Sequence, residues 1–159
     1  MDAGCPCCGA TAARRAALRR VAGLAIVALA APVAARVPAA EIVQPRSPGR
    51  EAFMERAFEM RRRAVENGDQ PYGAVIVRQG RIVGEGVSAV VTANDPTAHA
   101  EMQAIRDAAQ RLGTRDLSGC EMYGTARACP MCEAGAYWAC IARMYHGASI
   151  ADAGAPRLP

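Results

Sequence analysis

Three residues of this chain can hold a metal ion together, and a fourth can work beside it. His99 opens the run His99-Ala100-Glu101, and two thiols bracket the run Cys129-Pro130-Met131-Cys132. One imidazole and two thiolates make a three-ligand set for zinc, which closes with four protein ligands at structural sites and keeps one position open at catalytic ones. An open position admits water, and bound zinc lowers the pKa of that water towards about 7. Glu101 supplies a carboxylate that can take up the released proton and return it. The chemistry open to this set is hydrolysis by an activated water. The competing reading is a closed structural site, with Cys120 or His146 as the fourth ligand. A Cys-x-x-Cys pair alone carries little weight, but joined to His-Ala-Glu, with a helix start signalled at each half, it carries much.

Such residues need elements that aim them. Asp95 reads as the cap and Pro96 as the first residue of a helix that contains His99 and Glu101. Residues two apart do not share a lateral helix face, so the end of this helix must confront the metal. Ala100, Met102, Ala104, Ile105, Ala108, Ala109 and Leu112 form its packing side, and Gly113 stops it. Cys129 takes a cap position and Pro130 the first position of a further helix, which carries Cys132, Gly135, Tyr137 and Trp138. Thiols at a helix N-terminus are expected to have lowered pKa values, which suits zinc.

Upstream, Ser47 and Pro48 read as the start of the first domain helix. Phe53, Met54, Ala57, Phe58, Ala64 and Val65 repeat on one face, Arg61, Arg62 and Arg63 are a solvated stretch, and Asn67-Gly68 ends the helix. Residues 72–78 and 81–87 read as a hairpin around Gln79-Gly80, residues 120–125 as a third strand and 143–147 as a fourth. The order helix, hairpin, helix, strand, helix, strand predicts an α/β fold, a mixed sheet with helices on both faces.

The 159 residues suit one domain, and 52% hydrophobic content suffices for a core. Residues 1–50 hold seven arginines against Asp2 and Glu41, or +5, and the remainder holds twelve arginines against thirteen acids, or −1. The latter region is not a basic nucleic-acid platform. Lysine is absent, which removes P-loop and Schiff-base chemistry.

The basic surplus reads as an export signal over residues 1–39. The run 13–19, with Arg14 and Arg15, resembles the twin-arginine pattern, and the apolar run 21–31 is shorter than the roughly 20 residues of a membrane span. Pro32 and the small residues after it suit cleavage following Ala35 or Ala39, and the expected destination is the periplasm. An uncleaved anchor and an ordinary cytoplasmic helix are the alternatives. Cys5, Cys7 and Cys8 lack a nearby histidine or second cysteine pair and read as part of the leader. Cys120 and Cys140 read as small buried apolar residues. Residues 40–50, with Pro45, Pro48 and Gly49, read as a linker, 51–152 as the domain and 153–159 as an irregular tail.

From about Phe53 to Asp152 the chain resembles the cytidine deaminase-like superfamily (CMP/dCMP-type deaminase domain), and within it bacterial guanine deaminases. The matching pieces are Pro71-Tyr72-Gly73-Ala74-Val75-Ile76-Val77, Asn94-Asp95-Pro96-Thr97-Ala98-His99-Ala100-Glu101 and Cys129-Pro130-Met131-Cys132. The pair Tyr137-Trp138 is closer to guanine deaminases than to tRNA adenosine deaminases. The resemblance implies a three-layer α/β/α fold, Zn²⁺ on His99, Cys129 and Cys132, and Glu101 as proton shuttle. It further implies substrate contacts at Ser88, Asn94 and Ala100, a free purine base as substrate and a homodimer, while the near-neutral charge after residue 50 argues against nucleic acid and the short apolar run against a stable membrane span. A degenerate zinc-binding relative with little activity and a tRNA adenosine deaminase are the alternatives. Three departures stand out. Arg127-Ala128 occupies the place of a Glu-Pro pair, Ser88 that of a base-contacting asparagine, and similarity fades after Asp152, so that the domain reads as C-terminally truncated with one sheet edge left open to self-association.

Overall fold

Alternate residues of a strand point to opposite faces, and here the two faces bury different partners. Strand β1 (Gly73–Arg78) turns through Gln79 and Gly80, at φ 51° and 73°, into β2 (Arg81–Val87). Two left-handed residues in succession give the turn whose twist matches that of paired strands. Strand β3 (Cys120–Gly124) pairs antiparallel with β1, β4 (Arg143–His146) lies parallel to β3, and β5 (Ala151–Gly154) antiparallel to β4. The sheet order is β2-β1-β3-β4-β5. Register places Val75, Tyr123 and Tyr145 in one row, and Ile76, Met122 and Met144 in the row facing the other way. The first row packs with Phe53, Met54 and Met60 of helix α1 (Arg50–Glu66), and the Tyr123 and Tyr145 rings stack at 4.9 Å. The second packs with Ala104 and Ile105 of α2 (Ala100–Leu112) and Ala136 of α3 (Pro130–Trp138). This is the expected three-layer arrangement with a mixed sheet.

The computed structural model describes residues 41–158. The arginine-rich segment 1–39, with Arg14, Arg15, Cys5, Cys7 and Cys8, lies outside the described residues. No helix among those described is long and apolar enough to cross a membrane.

Several boundaries differ from the sequence reading. Helix α1 begins at Arg50 with Gly49 as its cap, so Ser47 and Pro48 precede it. Arg56 and Met60 are buried on that helix while Val65 is 57% exposed, because the helix also packs its Arg56 guanidinium against Glu59 and, at 2.6 Å, Glu85 of β2. Asp95 does not cap α2. Its carboxylate accepts hydrogen bonds from the Thr97 amide and hydroxyl, closing a local turn, and the helix begins at Ala100. Cys120 is fully buried as expected, but Cys140 is only half-buried and has a left-handed backbone at φ 61°. The irregular tail is ordered in part. Ala153 and Gly154 belong to β5, which closes the flank of β4 that the sequence reading leaves open.

The expected linker also docks on the domain. Ile42 joins the α1-side core, and the Gln44 amide bonds both backbone groups of Ile82, donating to its carbonyl at 2.8 Å and accepting from its N–H at 2.9 Å. Strand β2 is an edge strand, and unpaired edge groups invite pairing with other chains. Gln44→Ala is expected to cost about 1–2 kcal/mol, two ordinary hydrogen bonds, in a urea titration monitored by circular dichroism. An unchanged midpoint would show that water replaces the amide without loss.

Candidate metal centre and active site

Two helix starts and the end of one strand build the site. Helix α2 lies against β2 through Ala100, Ala104 and Ala108, opposite Gly84 and Gly86. A Cβ on Gly86 would stand 1.9 Å from the Ala100 carbonyl oxygen, and one on Gly84 2.6 Å from that of Ala104. Only glycine permits this approach, and it sets where the first turn of α2 sits. His99 is the cap residue of α2, with extended backbone (φ −63°, ψ 151°) and no side-chain cap bond. Its ring is therefore free to project beyond the helix end, as the spacing argument requires. Cys129 holds the same position on α3, with Pro130 first in the helix and Cys132 in the opening turn. Thr125, just past β3, bonds Gly73 in both directions, its hydroxyl accepting at 3.1 Å and its N–H donating at 3.0 Å, which pins the chain leading to Cys129.

His99 Nδ1 lies 3.7 Å from Cys129 Sγ and 3.6 Å from Cys132 Sγ, and the three ligand atoms lie within 4.8 Å of one another. Tetrahedral bonding at about 2.0–2.1 Å to nitrogen and 2.3 Å to sulfur requires an N···S spacing of about 3.5–3.6 Å. The donors are thus spaced for zinc. Neither Cys120 nor His146 joins the group among the described residues, which leaves three protein ligands and an open position. Glu101 stays outside the group and is buried, its Oε2 accepting from the Cys132 thiol at 3.6 Å.

Burial pushes the Cys132 thiol well above its ordinary range, and the charge of Glu101 and the neighbouring Cys129 push it further. The sulfur is wholly buried beside a carboxylate, and both disfavour the charged form. A thiolate at this place needs a cation against it, which is what a divalent metal supplies.

A cavity of about 30 Å³ adjoins Glu101, with Arg127, Glu133, His146, Ala153 and Ala155 in its wall. The three residues expected to touch substrate lie in or beside the segment that joins β2 to α2. Ser88 is buried and its hydroxyl donates to Asp69 at 2.8 Å, Ala100 is the buried first residue of α2, and Asn94 is exposed with φ 49°. None of them lines the cavity. Asp69 escaped the sequence reading altogether, since it follows Asn67-Gly68 and looks like part of the turn.

Fold and ligand set define an α/β protein with a zinc centre of the deaminase type. The chain belongs to the family described as the cytidine and deoxycytidylate deaminase zinc-binding region, which matches residues 48–148. It is 43% identical over 104 residues to guanine deaminase of Bacillus subtilis (strain 168), covering 65% of this chain and 67% of that protein. It is 46% identical over 84 residues to tRNA-specific adenosine deaminase of Aquifex aeolicus (strain VF5), covering 53% of this chain and 56% of that one. The crystal structure of the Bacillus subtilis guanine deaminase superposes with a TM-score of 0.61 at 42% identity, over 63% of this chain and 64% of the other. The chain thus spans about two thirds or less of the length of these relatives.

Proposed function

We propose that the protein deaminates a free purine base by zinc-assisted hydrolysis, with guanine as the preferred substrate, yielding xanthine and ammonia. The observation that carries this reading is the convergence of His99, Cys129 and Cys132 with a buried carboxylate, Glu101, beside them and outside the ligand set. When bound, zinc supplies a Lewis acid that lowers the pKa of water to near neutrality. Glu101 accepts the proton of the attacking water and passes it to the departing amine. The C–O bond forms first, as water adds to the ring carbon that bears the amine, and the C–N bond then breaks as the protonated amine leaves as ammonia, so no redox partner is needed. Glu133 of α3 and Ala153 of β5 stand with Glu101 in the wall of the adjoining cavity.

Similarity to both guanine and tRNA adenosine deaminases leaves two substrate classes. A free base is favoured because residues 51–159 carry twelve arginines and thirteen acids, whereas a nucleic-acid surface needs concentrated positive charge. One observation favours a weakly active zinc protein instead. A cavity of about 30 Å³ holds a water or two, against about 300 Å³ or more for ordinary ligand sites. Ammonia release by the zinc-loaded chain should be measured with guanine, adenine, cytosine, their nucleosides and a tRNA anticodon stem-loop. Guanine is expected to lead by about tenfold or more, the scale of a few well-placed hydrogen bonds. Release from the stem-loop alone would move the protein to the second class, and release from none would leave it a zinc-binding member without turnover.

A further inference from the structure

Helix α2 is reached from β2 through residues 88–99, which contain neither helix nor strand, and the last of them is the metal ligand His99. One carboxylate gathers the start of this loop. Asp69 is only 9% exposed and accepts five hydrogen bonds, one of them from the adjacent Gln70 N–H at 2.8 Å. The other four come from the loop. Oδ1 takes the Ser88 hydroxyl at 2.8 Å, and Oδ2 takes the N–H groups of Val91 and Thr92 at 2.9 and 2.8 Å and the Thr92 hydroxyl at 3.0 Å. A backbone bond from the Ala89 N–H to the Ala98 carbonyl, 3.0 Å, then closes the loop one residue before His99. Gripping residues 88–92 therefore fixes where the chain re-enters at residue 98.

The place of this carboxylate argues that the grip is its purpose. Asp69 lies three residues past the end of α1, after Asn67 and Gly68, and its own N–H donates to Ala64 O at 2.8 Å. Negative charge at the negative end of a helix is unfavourable, and helix termination alone would be served better by asparagine, glycine or lysine. Burial pushes the Asp69 carboxyl upward, yet the donors from Thr92, Ser88 and Gln70 together hold it well below the usual carboxylate range.

We propose that Asp69 is the positioning residue of the metal centre, holding the 88–98 loop so that His99 meets the sulfurs of Cys129 and Cys132. Asp69 touches neither metal nor substrate. The inference concerns the zinc centre and is read without turnover, so it stands or falls apart from the choice of substrate.

The test compares zinc affinity, by competition with a chromophoric chelator, with the visible spectrum of the cobalt-substituted chain and the Tm of the metal-free chain. Asp69→Asn presents an amide NH₂ to loop donors that need an acceptor. It is expected to weaken zinc by about 10- to 100-fold, as loss of a supporting residue does at other metal sites, and to alter the cobalt bands. Leu117→Ala, a fully buried core change three residues before β3, is the control. It should lower Tm at least as much while leaving zinc affinity within about twofold, since it removes packing and not a hydrogen bond of the loop. Wild-type zinc affinity and spectrum in Asp69→Asn would overturn the proposal, as would equal weakening by Leu117→Ala. If Asp69→Asn does not fold, Thr92→Val removes a single hydroxyl donor and should weaken zinc about threefold. No change in that variant would overturn the proposal as well.

Discussion

Glu101→Gln is expected to bind zinc as the parent does and to lose about 10²- to 10⁴-fold in the rate of ammonia release, the range ascribed to a well-placed general acid–base group. That loss corresponds to about 3–5 kcal/mol of transition-state stabilisation. The glutamine keeps the shape of the side chain and its place beside Cys132 but can neither accept the water proton nor deliver it. Because Glu101 lies outside the converging ligands, the metal should remain. Zinc content measured alongside turnover separates the two roles. Loss of metal in the variant would make Glu101 a ligand, and full activity would require another proton carrier. His146, in the wall of the same cavity, would be the first to examine.

Gly86→Ala is expected to cost about 3 kcal/mol, at or above the usual overpacking range, and to lower Tm by on the order of 10 °C. The added methyl would meet the Ala100 carbonyl at 1.9 Å and the Ala104 amide at 2.5 Å. Both belong to the backbone of α2, so no side chain can turn aside to make room. Helix α2 must lift from β2, and its first turn, which follows His99 and holds Glu101, moves with it. Weaker zinc binding should therefore accompany the lower Tm. Thermal melts with and without zinc give the result, since a smaller zinc-induced gain in Tm than in the parent reports the displaced ligand. An alanine variant with parental stability would mean that the helix and strand separate at little cost.

Much of the fold was legible because local rules act on local residues. The Gln79-Gly80 turn, the hairpin strands on either side of it and the glycine ending α2 depend only on neighbours in the chain, and each appears where expected. Helix starts were less legible. Ser47-Pro48 and Asp95-Pro96 carry the usual start signals, yet both helices begin later, at Arg50 and Ala100. Prolines permit a helix start, and packing decides whether it is used. Helix α2 begins where the Gly84 and Gly86 face of β2 can receive Ala100 and Ala104.

The metal set shows the division most clearly. Its residue types and the Cys-x-x-Cys spacing are properties of the chain and point to zinc, but only the packing, which keeps Cys120 and His146 out of the group among the described residues, separates an open position from a closed one. The thirty residues from His99 to Cys129 carry no information about distance until β3 and the two helices are packed. Asp69 was invisible for the same reason. A carboxylate after a helix-ending glycine means nothing alone, and acquires a role only when Ser88, Val91 and Thr92 fold back onto it. The sequence by itself determined the candidate ligands, the adjoining carboxylate and the hairpin turn, because covalent spacing and side-chain chemistry suffice for these. Only the tertiary structure decided that the sulfur of Cys132 is buried against Glu101, that Gln44 covers an edge strand, and that one aspartate gathers the loop leading to His99. Those facts arise from contacts between segments distant in the chain, and no local propensity encodes them.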